Sequence, residues 1–350
     1  MVIGVVNNLF PPYGRGSGAE VIAANMANEL RAAGHEVFII TTRPHRQQRP
    51  DLVDLYYLPS RYETLKKLTT IHKIIWYLGQ LGLPLHQRRL QQILQDRQPD
   101  LIITHNLIGL GFFLPRLLHR LHIKHEHVLH DIQLLHPSGL MYWRRENLIS
   151  SLPARCYQLA TRYSLRWAQK IISPSQWLLD LHQAHGFFAN QTSVVQANFQ
   201  IQKLEPKPLI KPVHFVFTGQ LEEHKGLKVL LAAWQQAGLP ATRARLSIAG
   251  GGSLSDWVRN QCATTNNSQY IGYLDRDGIE KLLSTAQVVV APSLVYENSP
   301  TSIWEAASHG LSAIASEIGG IPELKNYLNL HLIPPGDIEA LAQKIIQLSA

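Results

Sequence analysis

At 350 residues, with 45% hydrophobic and 17% charged residues, the chain is long enough for two ordinary domains and too apolar to be disordered. Its net charge of +8 sits in the first half: up to Glu205 there are 22 Lys and Arg against 13 Asp and Glu, and beyond it 11 against 12. The two cysteines, Cys156 and Cys262, lie far apart in no metal-like spacing, which excludes a disulfide framework and a zinc site and fits a reduced cytoplasmic compartment.

Met1 runs straight into Val2-Ile3-Gly4-Val5-Val6, without the basic start and longer apolar stretch of a secretory signal. The longest uncharged apolar run, residues 107–114, falls well short of the ~20 residues that a spanning helix needs. Both halves alternate short β-branched runs with amphipathic stretches, which predicts an α/β fold of doubly wound parallel sheets. In the first half, strands are expected at residues 2–6, 36–41, 52–58, 101–104, 128–130 and 170–172. Helices are expected at 18–33, 60–78, 86–97, 153–168 and 175–184, the first closing at Gly34. Residues 198–212 break the rhythm with Pro206, Pro208 and Pro212 beside Lys203, Lys207 and Lys211, so the boundary is placed there, dividing the chain into domains 1–203 and 204–350. The second run has strands expected at 213–218, 245–249, 269–271, 288–291 and 312–315. Its helices are expected at 226–237, 254–263, 275–286, 300–309 and 337–348. Two such Rossmann-like domains facing each other make a cleft where the strand carboxyl ends converge.

The sharpest local signal is the pair Glu297 and Glu305 with seven residues between them, after a strand and a turn. Ser299 reads as an N-cap and Pro300 as the first helical residue, so the amides of Thr301 and Ser302 would face an anion at the helix start. Glu297 then precedes the helix and Glu305 lies over a turn inside it. They would reach opposite ends of one extended ligand and are not a pair on one face; alternatively, Glu305 caps a surface turn and Glu297 is a solvated loop acid. Around them stand Gly219, Gln220 and Lys225 after the strand at 213–218, with the lysine at the next helix entrance, where a compact cation meets a diphosphate. Gly250, Gly251 and Gly252 end another strand and would let a ligand approach the backbone. Tyr270-Ile271-Gly272-Tyr273 offers Tyr273 as a surface for a base, and Gly319-Gly320-Ile321-Pro322-Glu323 adds a further glycine turn.

From residue 213 to 337, the order and spacing of these motifs resemble the nucleotide-sugar domain of glycosyltransferase family 4. The resemblance implies a GT-B fold and a retaining transferase of a hexose-type sugar that needs neither metal nor cofactor, its nucleotide-sugar donor (UDP-, GDP- or ADP-linked) being a co-substrate. It implies that Lys225 holds the donor diphosphate, Glu305 the ribose and Glu297 the transferred sugar, with Asn298, Ser299, Pro300, Thr301 and Ser302 around the phosphates. In the first half, the loop holding Gly16, Ser17 and Gly18 resembles the family loop that approaches donor phosphates and acceptor. The turns Thr104-His105-Asn106 and Leu129-His130-Asp131 resemble strand ends lining the cleft, with His130 at the reaction centre.

Two rival motifs fail on spacing. Gly14-x-Gly16-x-x-Ala19 starts seven residues beyond Asn7, too far for a dinucleotide turn, and no acid ends the second strand. His125-Glu126 resembles a zinc-protease motif but has Leu129 where the second histidine belongs. The sequence also departs from the family: Gln220 stands where arginine is frequent, with Arg15 as a substitute, and the chain stops at Ala350, where the family adds a helix returning to the first domain.

A glycan, glycolipid or lipid-linked molecule is the expected acceptor, in polysaccharide biosynthesis. Arg61, Lys66, Lys67 and Lys73 flank Leu65, Leu68, Ile71, Ile75 and Trp76, a pattern that suits peripheral contact with an anionic membrane at its inner face. Aromatics are not interleaved with the basic residues as nucleic-acid binding requires. The alternative functions are a GT-B sugar-nucleotide epimerase and a non-catalytic nucleotide-sugar or glycan-binding protein.

Overall fold

The computed structural model describes residues 1–10, 18–44, 53–199 and 202–350. The chain forms two compact units, one of residues 1–140 and 147–198, the other of 141–146 and 199–350. The Pro- and Lys-rich stretch that was expected to mark the boundary belongs with the second unit, where Lys207 Nζ donates to Leu283 O and Ser284 O, and Gln287 Nε2 to Pro208 O and Ile210 O. Residues 141–146 were expected with the first domain; their backbone partners lie in the second unit, as described below.

The first unit holds β1 (Val2–Val6), α1 (Gly18–Ala32), β2 (Glu36–Pro44), β3 (Leu55–Ser60), α2 (Thr70–Gly82), α3 (Gln87–Arg97), β4 (Leu101–Thr104), α4 (Leu114–Arg120), β5 (Lys124–Val128), α5 (Leu152–Leu165), β6 (Lys170–Ser173), α6 (Gln176–Ala184) and β7 (Thr192–Val195). Its strands are parallel in the order β3-β2-β1-β4-β5-β6-β7. β1 reads as an unbroken apolar run because a central parallel strand is covered on both faces. α1 covers one face of the sheet: Ala23 and Ala27 pack with Val5, Val37 and Ile39, and Met26 and Leu30 pack against the adjoining layer of Ile3, Ile103, Val128 and Ile172.

The second unit holds β8 (Val213–Thr218), α7 (Leu227–Ala237), β9 (Ala244–Ala249), α8 (Ser255–Cys262), β10 (Ser268–Gly272), α9 (Arg276–Thr285), β11 (Val288–Ala291), α10 (Thr301–Ser308), β12 (Ser312–Ser316), β13 (Leu330–Ile333) and α11 (Ile338–Leu348). Its parallel order is β10-β9-β8-β11-β12-β13. α7 and α11 pack on one core with Phe215, Phe217, Ile248 and Ile314. Leu230 and Ile345 are fully buried there, each burial worth about 1.5–3 kcal/mol.

Three differences from the expected elements have local causes. The helix expected at 60–78 is split: β3 runs through Ser60, a 3-10 turn covers Tyr62–Lys67, and Thr69 is extended ahead of α2. The strand expected at 128–130 lies at β5, Lys-His-Glu-His-Val, where His125 and His127 occupy buried positions because Thr104 Oγ1 bonds both, at 2.7 and 2.8 Å. Helix α4 and the edge strands β7 and β13 were not expected, being short and without a clear periodic signal.

Candidate functional site

In both sheets the strand order reverses beside the first strand, between β1 and β4 and between β8 and β11. At such a switch point the loops leaving the two strands diverge, which opens a crevice at their carboxyl ends. In the second unit the loop after β8 carries a 3-10 turn, Glu223–Lys225, and Gly226; the loop after β11 runs from Pro292 to Pro300.

These loops touch through glycine. A Cβ on Gly226, whose φ is 76°, would stand 1.8 Å from Pro292 O. One on Gly319 (φ 65°) would stand 2.2 Å from Glu297 O, to which Gly320 N–H donates at 2.9 Å. The turn of Gly319 and Gly320 therefore clamps the backbone of Glu297. The glycines after β9 were expected to admit a ligand to the backbone; instead the close approach at Gly250 is taken by Gly219 O, 1.8 Å from where a Cβ would be, while Gly251 has open space.

Clamped in this way, Glu297 meets Lys225. Lys225 Nζ donates to Glu297 Oε1 at 2.6 Å, with side chains 27% and 13% exposed. Ser293 Oγ donates to the same oxygen at 2.5 Å. Burial pushes the Glu297 carboxyl up, but the Lys225 charge and the bonds from Lys225 and Ser293 outweigh it and hold the group below its ordinary value. Glu297 is an ion-paired, half-buried acid, which removes the solvated-loop reading. A lysine ammonium has three donors, so one bond to Glu297 leaves capacity for an anion.

Beside this pair begins α10. Ser299 is not its N-cap, as expected: Pro300 occupies that position, and Ser299 Oγ accepts from Trp304 Nε1 at 2.7 Å. The first carbonyl engaged within the helix is Pro300 O, bonded by the amides of Ile303 and Trp304, so those of Thr301 and Ser302 stand ahead of the first intrahelical bond. Glu305 lies on the same helix, pushed up to about 7 by burial and by Glu280 of α9, against the opposing effects of His309 and Arg276. Asn298 is buried, Gln220 is exposed and Tyr273 is 79% exposed.

The site loop has a partner that sequence order hides. Residues 141–146 lie along it: Tyr142 pairs with Val295 in an antiparallel bridge, Trp143 N–H donates to Leu294 O at 3.0 Å, and Tyr296 N–H to Met141 O at 2.9 Å. Tyr296 Oη donates to Glu146 Oε1 at 2.8 Å; burial and this carboxylate push the phenol up to about 12. Neither Ser293 nor Glu146 was expected at the site: the place of Ser293 four residues before Glu297 was a signal for it, but nothing in the sequence pointed to Glu146.

In the first unit, the ends of β4 and β5 bring His105 and His130 together, Nδ1 to Nε2 at 2.7 Å with rings stacked at 5.0 Å. Burial drives His105 well below its usual range and His130 down to about 4, so both are neutral and one nitrogen donates to the other. His105 Nε2 is buried without a partner among the described residues. Asp131, beside them, is pushed up to about 6 by burial, with the Gln133 amide opposing. Gly18 opens α1, whereas Gly16, Ser17 and Arg15 lie outside the described residues.

Two Rossmann-like units, one with a cation, a paired acid and a helix start at its switch point, define the architecture of a glycosyltransferase of the GT-B type. Residues 17–197 match the family described as Glycosyl transferase 4-like domain and residues 212–350 that of Glycosyl transferases group 1, and the chain belongs to this family of glycosyltransferases. It is 23% identical to a 42.6 kDa protein of the cps region of Klebsiella pneumoniae, over 94% of this chain and 88% of that one. It is 28% identical to the amylovoran biosynthesis glycosyltransferase AmsK of Erwinia amylovora, over 47% of this chain and 44% of that one. Its fold is similar to that of Anabaena HepE in complex with UDP, with a TM-score of 0.69 at 19% identity, covering 98% of this chain and 88% of the other.

Proposed function

We propose that the chain is a retaining, metal-independent transferase that moves a hexose-type sugar from a nucleoside-diphosphate sugar to a glycan, glycolipid or lipid-linked acceptor. The observation that carries this reading is the Lys225–Glu297 pair beside the start of α10, a fixed cation and fixed amide dipoles at one switch point. Lys225 and the amides of Thr301 and Ser302 take the diphosphate, Glu305 the ribose, Tyr273 the base and Glu297 the sugar. The bond from the anomeric carbon to the diphosphate breaks and a bond to the acceptor oxygen forms on the same face. The acceptor proton passes to a phosphate oxygen, and the nucleoside diphosphate leaves. The protein's main contribution is to stabilise charge on that leaving group. A charge-assisted bond from Lys225 supplies about 1.5–3 kcal/mol and the helix start up to ~2 kcal/mol.

On the acceptor side, His130 stands at the strand ends of the first unit, oriented by His105. HepE has structures with UDP and with UDP-glucose, and AmsK serves amylovoran biosynthesis, which supports a nucleotide-sugar donor and a polysaccharide pathway here. Thermal-shift screening with UDP-, GDP- and ADP-sugars, followed by transfer to an acceptor panel, tests the reading. Stabilisation by one donor and acceptor-dependent release of its nucleotide are expected. Full transfer activity in Lys225→Ala would sink the assignment; donor isomerisation without acceptor would favour an epimerase.

A further inference from the structure

The first unit exposes apolar side chains where water-facing residues ordinarily stand. α2 presents Ile71, Ile74, Ile75 and Leu78, each 50–62% exposed, at the i, i+3, i+4, i+7 spacing of one helical stripe. A surface helix normally turns that stripe inward. Here other residues serve the interior: Gln80 is buried and Trp76 stacks on Tyr62 at 6.3 Å. Of the apolar residues in the sequence pattern, Ile71 and Ile75 are exposed, whereas Trp76 is half-buried.

α5, adjacent to α2, repeats the arrangement. Its Ala154, Tyr157, Thr161 and Leu165 are buried, while Leu152, Leu159 and Tyr163 are 75%, 57% and 50% exposed. Neither helix contains an Asp or Glu. Arg155 on α5 and Arg166 at its C-terminal end are exposed, Arg166 lying 3.9 Å from the Tyr163 ring centroid.

We propose that this α2–α5 face docks on an anionic lipid surface. Charge selects the occupant. A second copy of the same face would set Arg155 and Arg166 against their equivalents, with no carboxylate on either helix to pair them. Anionic headgroups supply that charge while the isoleucines and leucines enter the boundary of the acyl chains. Among the described residues no helix is long and apolar enough to cross a membrane, so the face lies on the surface. The inference names a surface for the lipid-linked acceptor and rests on that reading for its use. Vesicle binding needs neither donor nor acceptor, so the failure of one is distinguishable from the failure of the other.

The test is co-sedimentation of the full chain with phosphatidylcholine vesicles and with vesicles in which phosphatidylglycerol replaces roughly a third of the lipid. Pelleting is expected with the anionic vesicles alone, weakening as salt rises. The exposed-site variant Ile75→Ser/Leu78→Ser/Leu159→Ser should partition roughly tenfold or more weakly, and Arg155→Glu/Arg166→Glu should release the protein at lower salt. Circular dichroism melting checks that both variants fold. Absence of wild-type pelleting at low salt, or variants that pellet like the wild type, overturns the proposal. So does a wild-type dimer that the serine variant makes monomeric while anionic vesicles are ignored.

Discussion

Lys225→Met removes the ammonium while keeping most of the aliphatic stem, and it leaves Glu297 the Ser293 hydroxyl as a donor, in surroundings where the carboxyl side chain is 13% exposed. Breaking a fully buried ion pair costs about 3–5 kcal/mol, and the partial exposure and the remaining Ser293 bond reduce this to about 2 kcal/mol. For a unit of this size that corresponds to a fall in Tm of about 4–8 °C. Glu297→Gln keeps the shape and an acceptor for both donors and should cost about 1 kcal/mol. The double variant should be less destabilised than the sum, with a coupling of about 1 kcal/mol, because each single change strands the other's partner.

The pH dependence should reverse sign. In the wild type Glu297 is held below its ordinary value, so its contribution is present above the unfolded pKa and is lost as pH falls through the folded one. Without Lys225, burial dominates, and the same carboxyl should weaken the fold as pH rises. Urea unfolding followed by tryptophan fluorescence at several pH values reads both effects. Additive single variants with parallel pH profiles would refute the reasoning. Donor affinity, measured calorimetrically, should fall roughly 10- to 100-fold in Lys225→Met.

Other outcomes follow from the same geometry. Glu305, raised to about 7 in the folded state, makes stability fall as pH climbs from its unfolded value toward 7, by about 3 kcal/mol at most. Glu305→Gln should flatten that part of the pH–stability curve, and an unchanged slope would contradict the assignment. Tyr296→Phe loses the 2.8 Å bond to Glu146, about 1 kcal/mol by urea unfolding, and should expose the loop after β11 to faster hydrogen exchange. Gly226→Ala places a Cβ 1.8 Å from Pro292 O at positive φ; a loss of about 2 kcal/mol or more in thermal unfolding, together with weaker donor binding, is expected.

Much of the second unit was legible because its strands are buried runs separated by glycine turns. The strands at 213–218 and 288–291 coincide with β8 and β11, and Gly226 and Gly319 stand where backbone meets backbone. The first unit was less legible around β5, since His125 and His127 are polar residues buried by bonds to Thr104, a satisfaction that no periodicity records. Ser299 illustrates the same limit: its composition suits a cap, but Trp304 took its hydroxyl.

Residue type and order by themselves determined two parallel α/β halves, the E-x7-E pair and a lysine after a glycine turn, because local propensity and hydrophobic period are short-range properties. Only the tertiary structure decided that Lys225 and Glu297, 72 positions apart, share a 2.6 Å bond. It also decided that residues 141–146 brace the loop after β11 and that α2 and α5 turn apolar stripes outward. Each depends on which surfaces the sheet order brings together, and that is settled by long-range packing.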